Sequence, residues 1–321
     1  MPGRIRQEDI AAVRERSPIA DVVGEYLQLR PAGGGHLKGL CPFHDERTPS
    51  FNVTPGKELY HCFSCGEGGD VIKFVMKMET LQFGEAIERL AARAGVELRY
   101  EAGGYVPGQE TGLRRRLIEA HRQAQDFYSE RLRHDSAASA RAFLAERGFR
   151  VEDADQFGVG YSPAAWDELT KLLKTRGFTE DELLKAGLAR RTSRGGIIDM
   201  FRGRLMWPIR DLTGETIAFG ARKLNPDDEP KYLNTPETQI FKKAHVLYGA
   251  DLAKREIAKR RQAVIVEGYT DVMACYLSGV PTAVATCGTS FGEDHVKILR
   301  RLIMDTDGSA GEVIFTFDGD A

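Results

Sequence analysis

The sequence of 321 residues contains no apolar run approaching the length needed to span a bilayer. Met1 to Ile10 is charged and polar and lacks the apolar core of a secretory leader. A soluble, cytoplasmic protein with no membrane partner is therefore expected. Cysteine is scarce, at five residues, and with no leader in view a disulfide framework is not expected. No internal repeat or low-complexity tract is visible. Net charge is small, at −2, which taken alone argues against a nucleic-acid partner. Its distribution argues otherwise. Residues 190 to 261 carry 16 Lys and Arg against 9 Asp and Glu, whereas residues 262 to 321 carry 3 against 9. A basic block running into an acidic one suits a polyanion track that feeds a cation-binding site.

Three of the five cysteines fall into a metal-ligand pattern. Cys41 and His44 form C-x2-H, and Cys62 and Cys65 form C-x2-C, with residues 45 to 61 between the pairs. Each pair can grip one ion from a tight turn, and the intervening run is long enough for a β-hairpin. Three thiolates and one imidazole make a closed tetrahedral shell, the usual structural zinc set. A redox use of Cys62 and Cys65 would leave Cys41 and His44 unexplained. His61 adjoins Cys62 but has the wrong spacing for a turn pair. Cys275 and Cys287 lie in apolar stretches and read as core residues. Phe43, Tyr60 and Phe63 read as a small core around the metal, with stacking on bases as the alternative.

The length suggests two or three domains, and the 42% hydrophobic content is enough to build their cores. The first region, 1–100, is expected to be a zinc-binding unit. Ser17 should cap a helix with Pro18 at its first position. Thr54 to Lys57 should turn the zinc hairpin, and Asp70 should cap a short helix. A further helix through Phe83, Ile87, Leu90 and Ala94 should end at Gly95. Residues 101–112 begin with a Gly- and Pro-rich run and read as a linker. Residues 113–260 start helical and turn to strands after Ile197, with a hairpin at Asp211 to Gly214. In 261–321, strands at Val264 to Val266, Thr282 to Ala285 and Val313 to Phe317 alternate with helices near Asp271 to Leu277 and Glu293 to Leu302. That alternation predicts a parallel α/β sheet. The fold class expected is multi-domain α+β: a zinc-ribbon-like β domain with helices, then a mixed α/β region leading into a parallel α/β sheet.

Ligands of open parallel sheets bind beyond the carboxyl ends of the strands. Glu267 follows the strand ending at Val266, and Asp318 and Asp320 follow the one ending at Phe317. Clustered carboxylates suit Mg2+ or Mn2+, and a pair of such ions can clamp the attacking and leaving oxygens of a phosphoryl displacement. Asp305 and Asp307 have no strand before them and read as solvated loop acids. Asp271 opens a helix, where it can cap the backbone or support the metal ligands behind Glu267; both readings stand.

These residues add up to a resemblance. Val-Glu-Gly-Tyr-Thr-Asp-Val at 266 to 272 with Phe-Asp-Gly-Asp-Ala at 317 to 321 is similar to the TOPRIM fold of primases and topoisomerases. Cys-Pro-Phe-His-Asp-Glu-Arg-Thr-Pro-Ser-Phe at 41 to 51, with Cys-Phe-Ser-Cys-Gly-Glu-Gly-Gly at 62 to 69, resembles the zinc domain of bacterial replicative DNA primases. Pro-Lys-Tyr-Leu-Asn-Thr-Pro-Glu-Thr at 230 to 238 and Leu-Tyr-Gly at 247 to 249 resemble the basic region preceding the TOPRIM in that family. The resemblance covers nearly the whole chain in the family's order. It implies a DNA-dependent RNA polymerase that makes short primers on single-stranded DNA from ribonucleoside triphosphates. It implies Glu267, Asp318 and Asp320 as metal-linked catalytic acids, one structural Zn2+, and Mg2+ or Mn2+ for catalysis. It also implies Arg222, Lys231 and Lys243 as template-binding residues, association with the replisome, and a replicative helicase partner held through a further C-terminal region.

The family's TOPRIM continues through more strands and a further acidic motif than this sequence contains, so a partial sequence with little or no polymerase activity is expected. Two other classes compete with the polymerase reading. One is a zinc-dependent single-strand-binding module without catalysis. The other is a TOPRIM topoisomerase or nuclease, whose TOPRIM usually opens the chain and whose nucleophilic tyrosine sits in a separate domain.

Overall fold

The structure, a computed structural model, describes residues 5–79, 81–100, 109–193, 195–303 and 311–317. The chain forms two compact units. One holds the residues up to Leu113 with Lys254–Ala263 and Val296–Ile314; the other holds Arg114–Ala253, Val264–His295 and the residues from Phe315 onward.

In the first unit the zinc hairpin is the centre of a five-stranded antiparallel sheet. Its strands, in spatial order, are Arg30–Pro31, Leu37–Gly39, Phe51–Thr54, Leu59–Cys62 and Gly68–Gly69. The turn falls where expected, as a single 3-10 turn at Pro55–Lys57. Alternation along Phe51–Thr54 buries Phe51 and Val53 and leaves Asn52 and Thr54 half-buried. The buried face meets the helices Val71–Met78 and Phe83–Ala94, and Phe74 lies edge-on to Tyr60 at 5.6 Å between ring centroids. Asp70 caps the first of these helices, accepting from the Lys73 N–H at 2.9 Å. Gly95 ends the second at φ 62°, a left-handed position that glycine fills without steric cost.

The Ser17 cap is displaced. The helix is Ile19–Val23 with Pro18 at its cap, and Ser17 is fully buried with its hydroxyl unpartnered. The free N–H of Ile19 is met from the zinc hairpin, by the Glu58 carboxylate at 2.7 Å. A tertiary acceptor has taken the place of the local one, which the local sequence cannot reveal.

The helix Gln109–Leu132, which belongs to the second unit from Arg114 on, begins inside the segment expected to be a linker; the first eight positions of that segment lie outside the described residues. An antiparallel sheet follows, in the order Tyr232–Asn234, Thr216–Lys223, Arg204–Arg210, Gly160–Ser162. The hairpin at Asp211 to Gly214 joins its two central strands, with the Asp211 carboxylate accepting from the N–H groups of Thr213 and Glu215. Trp207 and Phe219, on the two central strands, are both fully buried.

The last sheet has the order Leu247–Tyr248, Ala283–Thr286, Gln262–Val266, Glu312–Phe315. Its centre is parallel, as the alternation predicts, with Val264 opposite Ala283 and Val266 opposite Ala285. Leu247–Tyr248 adds an antiparallel edge. Glu312 donates its N–H to Arg261 and Thr316 donates to Ile265, so the last strand also runs parallel to its neighbour. Val313 and Phe315 on that strand are exposed.

Tyr269 is the tightest junction in the second unit. Its ring stacks on Trp207 at 5.4 Å and meets Tyr248 edge-on at 4.7 Å. It also closes on the backbone of Gly220, where a Cβ would lie 2.3 Å from its Cζ. Gly220→Ala should therefore lower stability by about 1–3 kcal/mol, the usual cost of overpacking. Gly214→Ala, in the open hairpin turn, tests a different effect, since it meets no atom within 4 Å but sits at φ 94°. Thermal melts of Gly220→Ala should fall without a shift in secondary structure; an unchanged midpoint would mean that the Tyr269 ring is not wedged there.

Candidate functional site

The four predicted ligands come together. Cys62 ends the strand Leu59–Cys62, and Cys65 follows in a turn completed by Gly66 at φ 76°. Cys41 and His44 lie in the loop after Leu37–Gly39. The ligand atoms of all four lie within 4.8 Å of one another, with Cys41 and Cys65 sulfurs 3.9 Å apart and the Cys62 sulfur 3.9 Å from His44 Nδ1. Sulfurs around one tetrahedral zinc, at bonds of about 2.3 Å, would stand roughly 3.8 Å apart. The donor set and the spacing both fit zinc. Burial pushes the Cys41 thiol well above its usual range, and the neighbouring thiols push it the same way. At Cys62 burial raises the thiol too, but N–H groups of Cys65 and Ser64 and the Ser50 hydroxyl outweigh it, and the thiol lies below its ordinary value. A dication at the centre relieves that mutual repulsion of thiolates.

Glu46, which the sequence reading passed over, organises this centre. One carboxylate oxygen accepts from the Cys41 N–H at 2.7 Å and the Ser50 N–H at 3.0 Å. The other lies 3.2 Å from His44 Nε2 and accepts the Ser50 hydroxyl at 2.5 Å. With Nε2 held by a carboxylate, Nδ1 is the nitrogen left for the metal. No spacing rule marks Glu46 in the sequence, because its role depends on how the turn folds back. His61 stays outside the ligand set and lies edge-on to Phe63 at 4.8 Å. Phe43 and Tyr60 join the aromatic core. Phe63 does not: it is 74% exposed, so the core reading fails for this ring, which the turn after Cys62 carries to the outer face of the sheet. There it lines a groove of about 700 Å³ together with His36, Asn52, Lys57, His61 and Gly68.

The acids are only partly described. Glu267 is exposed directly beyond the strand Gln262–Val266, where the sequence placed it. Asp318 and Asp320, like Asp305 and Asp307, lie outside the described residues. Asp271 accepts the Gly268 N–H at 2.9 Å and so holds the turn that carries Glu267. Cys287 is a core thiol, as expected; burial pushes it up to about 12, and the charge of Lys243 works against that rise. Cys275 is half-buried on the helix Tyr269–Leu277.

Of the three predicted cations, Arg222 is the least free. Its guanidinium lies 4.0 Å from the centre of the Phe143 ring, which also carries Arg147 at 3.7 Å. Arg222 donates one nitrogen to the Lys223 carbonyl, while its buried Nε has no partner. Lys231 is exposed beside the Tyr232 ring. Lys243 sits in the short 3-10 turn Lys243–His245. The adjacent Lys223 and Lys242 pair with Glu229 and Glu237, whereas no ion pair of Arg222, Lys231 or Lys243 occurs among the described residues. Arg147 and Asn234 were missed from sequence. Arg147 lies outside the basic block and has no local signal. Asn234 joins three elements: it donates to the Cys287 carbonyl at 2.9 Å and accepts the Tyr269 hydroxyl at 2.8 Å, three residues after Lys231 on the edge strand Tyr232–Asn234.

A zinc ribbon, a basic antiparallel sheet and a parallel sheet with an acid at a strand end define a class of nucleic-acid enzymes, and comparison with known proteins narrows it. Three family models match in chain order: the CHC2 zinc finger over residues 5–105, the N-terminal domain of the DNA primase catalytic core over 127–254, and the Toprim domain over 261–321. The DNA primase of Streptomyces coelicolor is 62% identical over 323 residues, covering 100% of this chain and 50% of the relative. The zinc-binding and RNA polymerase domains of Aquifex aeolicus primase align at 32% identity and a TM-score of 0.61, over 98% of this chain and 73% of that one. The RNA polymerase domain of Mycobacterium tuberculosis primase, in complex with a double-stranded DNA oligomer with a 6-nucleotide overhang, aligns at 53% identity and a TM-score of 0.62, over 64% of each chain. The chain belongs to the DNA primase family. It spans about half the length of the curated relatives it matches.

Metal analysis of the native chain should find one zinc, and Cys62→Ser should fail to fold its N-terminal unit, since such small sites draw on the order of 10 kcal/mol from the metal. Glu46→Gln should fold but lose about tenfold or more in zinc affinity, measured by chelator competition. Unchanged affinity would remove Glu46 from the centre.

Proposed function

We propose that the chain is the zinc-binding and N-proximal catalytic part of a primase that synthesises short RNA primers on single-stranded DNA from ribonucleoside triphosphates. The observation that carries this reading is that Glu267 stands beyond a parallel strand end in the unit that also carries the basic strands. Glu267 lies beyond the carboxyl end of a parallel strand. Asn234 fixes the strand following Lys231 to the next such end at Cys287, and the charge of Lys243 is felt at that cysteine. Arg222, Lys231 and Lys243 would hold template phosphates without reading sequence. The exposed Phe63 and its groove on the zinc sheet offer a separate stacking surface for unpaired bases. The DNA complex of the Mycobacterium tuberculosis domain supports DNA as the partner.

Glu267, with Asp318 and Asp320, would hold Mg2+ or Mn2+, which when bound supplies charge neutralisation at the reacting phosphate. The chain's own part is to aim Glu267, through the turn held by Asp271, and to present the template cations from the same unit. Asp271 then supports a metal ligand by shaping its turn. Because the 321 residues span half the length of the relatives, we expect little or no primer synthesis from them alone. The helicase partner and replisome association implied by the family belong to the chain at its relatives' full length. A zinc-dependent binding module without catalysis is the second reading, favoured by the ready-made groove on the zinc sheet.

Single-stranded DNA binding separates the parts. The log affinity should fall by about 0.7 per phosphate contact per log unit of salt. Lys231→Ala should reduce that slope and weaken all sequences alike; a triple alanine variant at Arg222, Lys231 and Lys243 that binds like the wild type would contradict the template assignment. In a chain of the relatives' full length, Glu267→Gln should abolish primer synthesis and keep template binding. Full synthesis by that variant would remove Glu267 from the catalytic acids.

A further inference from the structure

His295 is a buried histidine whose two ring nitrogens are both committed. It is 1% exposed and stacks on Phe291 at 5.4 Å between ring centroids. Nδ1 accepts the Gly292 N–H at 3.1 Å. That bond fixes the tautomer: Nδ1 is the lone-pair nitrogen, so the proton sits on Nε2. Nε2 lies 3.1 Å from the Lys243 carbonyl oxygen and donates to it.

The main chain of Lys243 is therefore held from both sides. Its N–H donates to the Glu237 carboxylate at 3.1 Å, and its C=O accepts from His295. The flanking side chains are tied down as well, Lys242 to Glu237 at 3.6 Å and His245 to Asp294 at 3.5 Å. The Lys243 ammonium has no ion pair among the described residues. A clamped backbone with an uncommitted cation is a way to preorganise a phosphate contact, since less conformational freedom is lost on binding.

We propose that His295 is a positioning residue for template binding: its neutral imidazole fixes the turn that presents Lys243. The inference rests on the assignment of Lys243 to the template. It adds that the geometry of that contact is set by a residue of the TOPRIM region.

Two substitutions of similar polarity separate positioning from packing. In His295→Gln the side-chain amide reaches the place of Nε2 and can still donate to the Lys243 carbonyl. In His295→Asn the shorter amide takes the place of Nδ1 and cannot reach it. Both leave a cavity and should melt at similar temperatures. The test is single-stranded DNA affinity against salt in the zinc-loaded 321-residue chain. His295→Asn should bind about fivefold more weakly, with a salt slope lower by about 0.7, the signature of one lost phosphate contact. His295→Gln should recover most of both. In a Lys243→Ala background neither substitution should change binding further.

Equal loss in the Gln and Asn variants, or loss that persists without Lys243, would overturn the proposal in favour of a packing role. If Lys243→Ala itself binds normally, the template assignment has failed rather than the clamp. If Lys243→Ala weakens binding and His295→Asn does not, the assignment stands and the clamp is wrong.

Discussion

The hydroxyl of Tyr269 and the amide of Asn234 hold the second unit in its working shape. Burial pushes the Tyr269 phenol well above its ordinary range, so it remains an O–H donor at any working pH. It donates to Asn234, whose amide in turn donates to the carbonyl of Cys287. Two residues before Tyr269 stands Glu267, and three residues before Asn234 stands Lys231. One short relay of part-buried hydrogen bonds therefore ties the turn that follows Glu267 to the strand that follows Lys231. The ring itself is gripped by Trp207, Tyr248 and the bare backbone of Gly220. A polar relay inside such packing is costly to leave half-made, and this favours one arrangement over its neighbours.

The same logic recurs on a smaller scale. At the zinc centre, the Glu46 carboxylate collects the Cys41 N–H, the Ser50 N–H and hydroxyl, and the His44 ring. At Lys243, Glu237 accepts from the main-chain N–H and His295 donates to the C=O of the same residue. In each case one side chain holds the backbone or ring of another in place. The exposed groups, Glu267 and Lys231, sit on backbone that other residues have already fixed.

This division explains what the sequence could convey. The zinc ligands were legible because two tight pairs of soft and imidazole donors have few other uses. The turn at Pro55–Lys57, the Asp70 cap and the Gly95 stop were legible because each depends on neighbours in sequence. The parallel centre of the last sheet followed from continuous apolar strands alternating with helices. Glu46, Asn234 and His295 were not legible, since their partners lie across turns or in other elements. The Ser17 cap failed for the same reason: Glu58, on the far side of a hairpin, supplies the acceptor. Phe63 looked like a core ring by composition, and only the direction of its turn exposes it. The acids were proposed from a pattern at strand ends, and of these the described residues include Glu267, exposed beyond its strand.

The central claim is that the Tyr269–Asn234 relay makes the acid edge and the basic strand a single site. Removing one oxygen tests it most directly: primer synthesis by Tyr269→Phe in a chain of the relatives' full length, measured beside its single-stranded DNA affinity and its melting temperature. The ring and its packing are kept. A folded variant that binds template within about twofold of wild type yet synthesises primers about tenfold or more slowly is the expected result, because small misplacements of a reacting group are expensive. Wild-type synthesis by that variant would show that Glu267 and the template strand are aligned by something other than this relay.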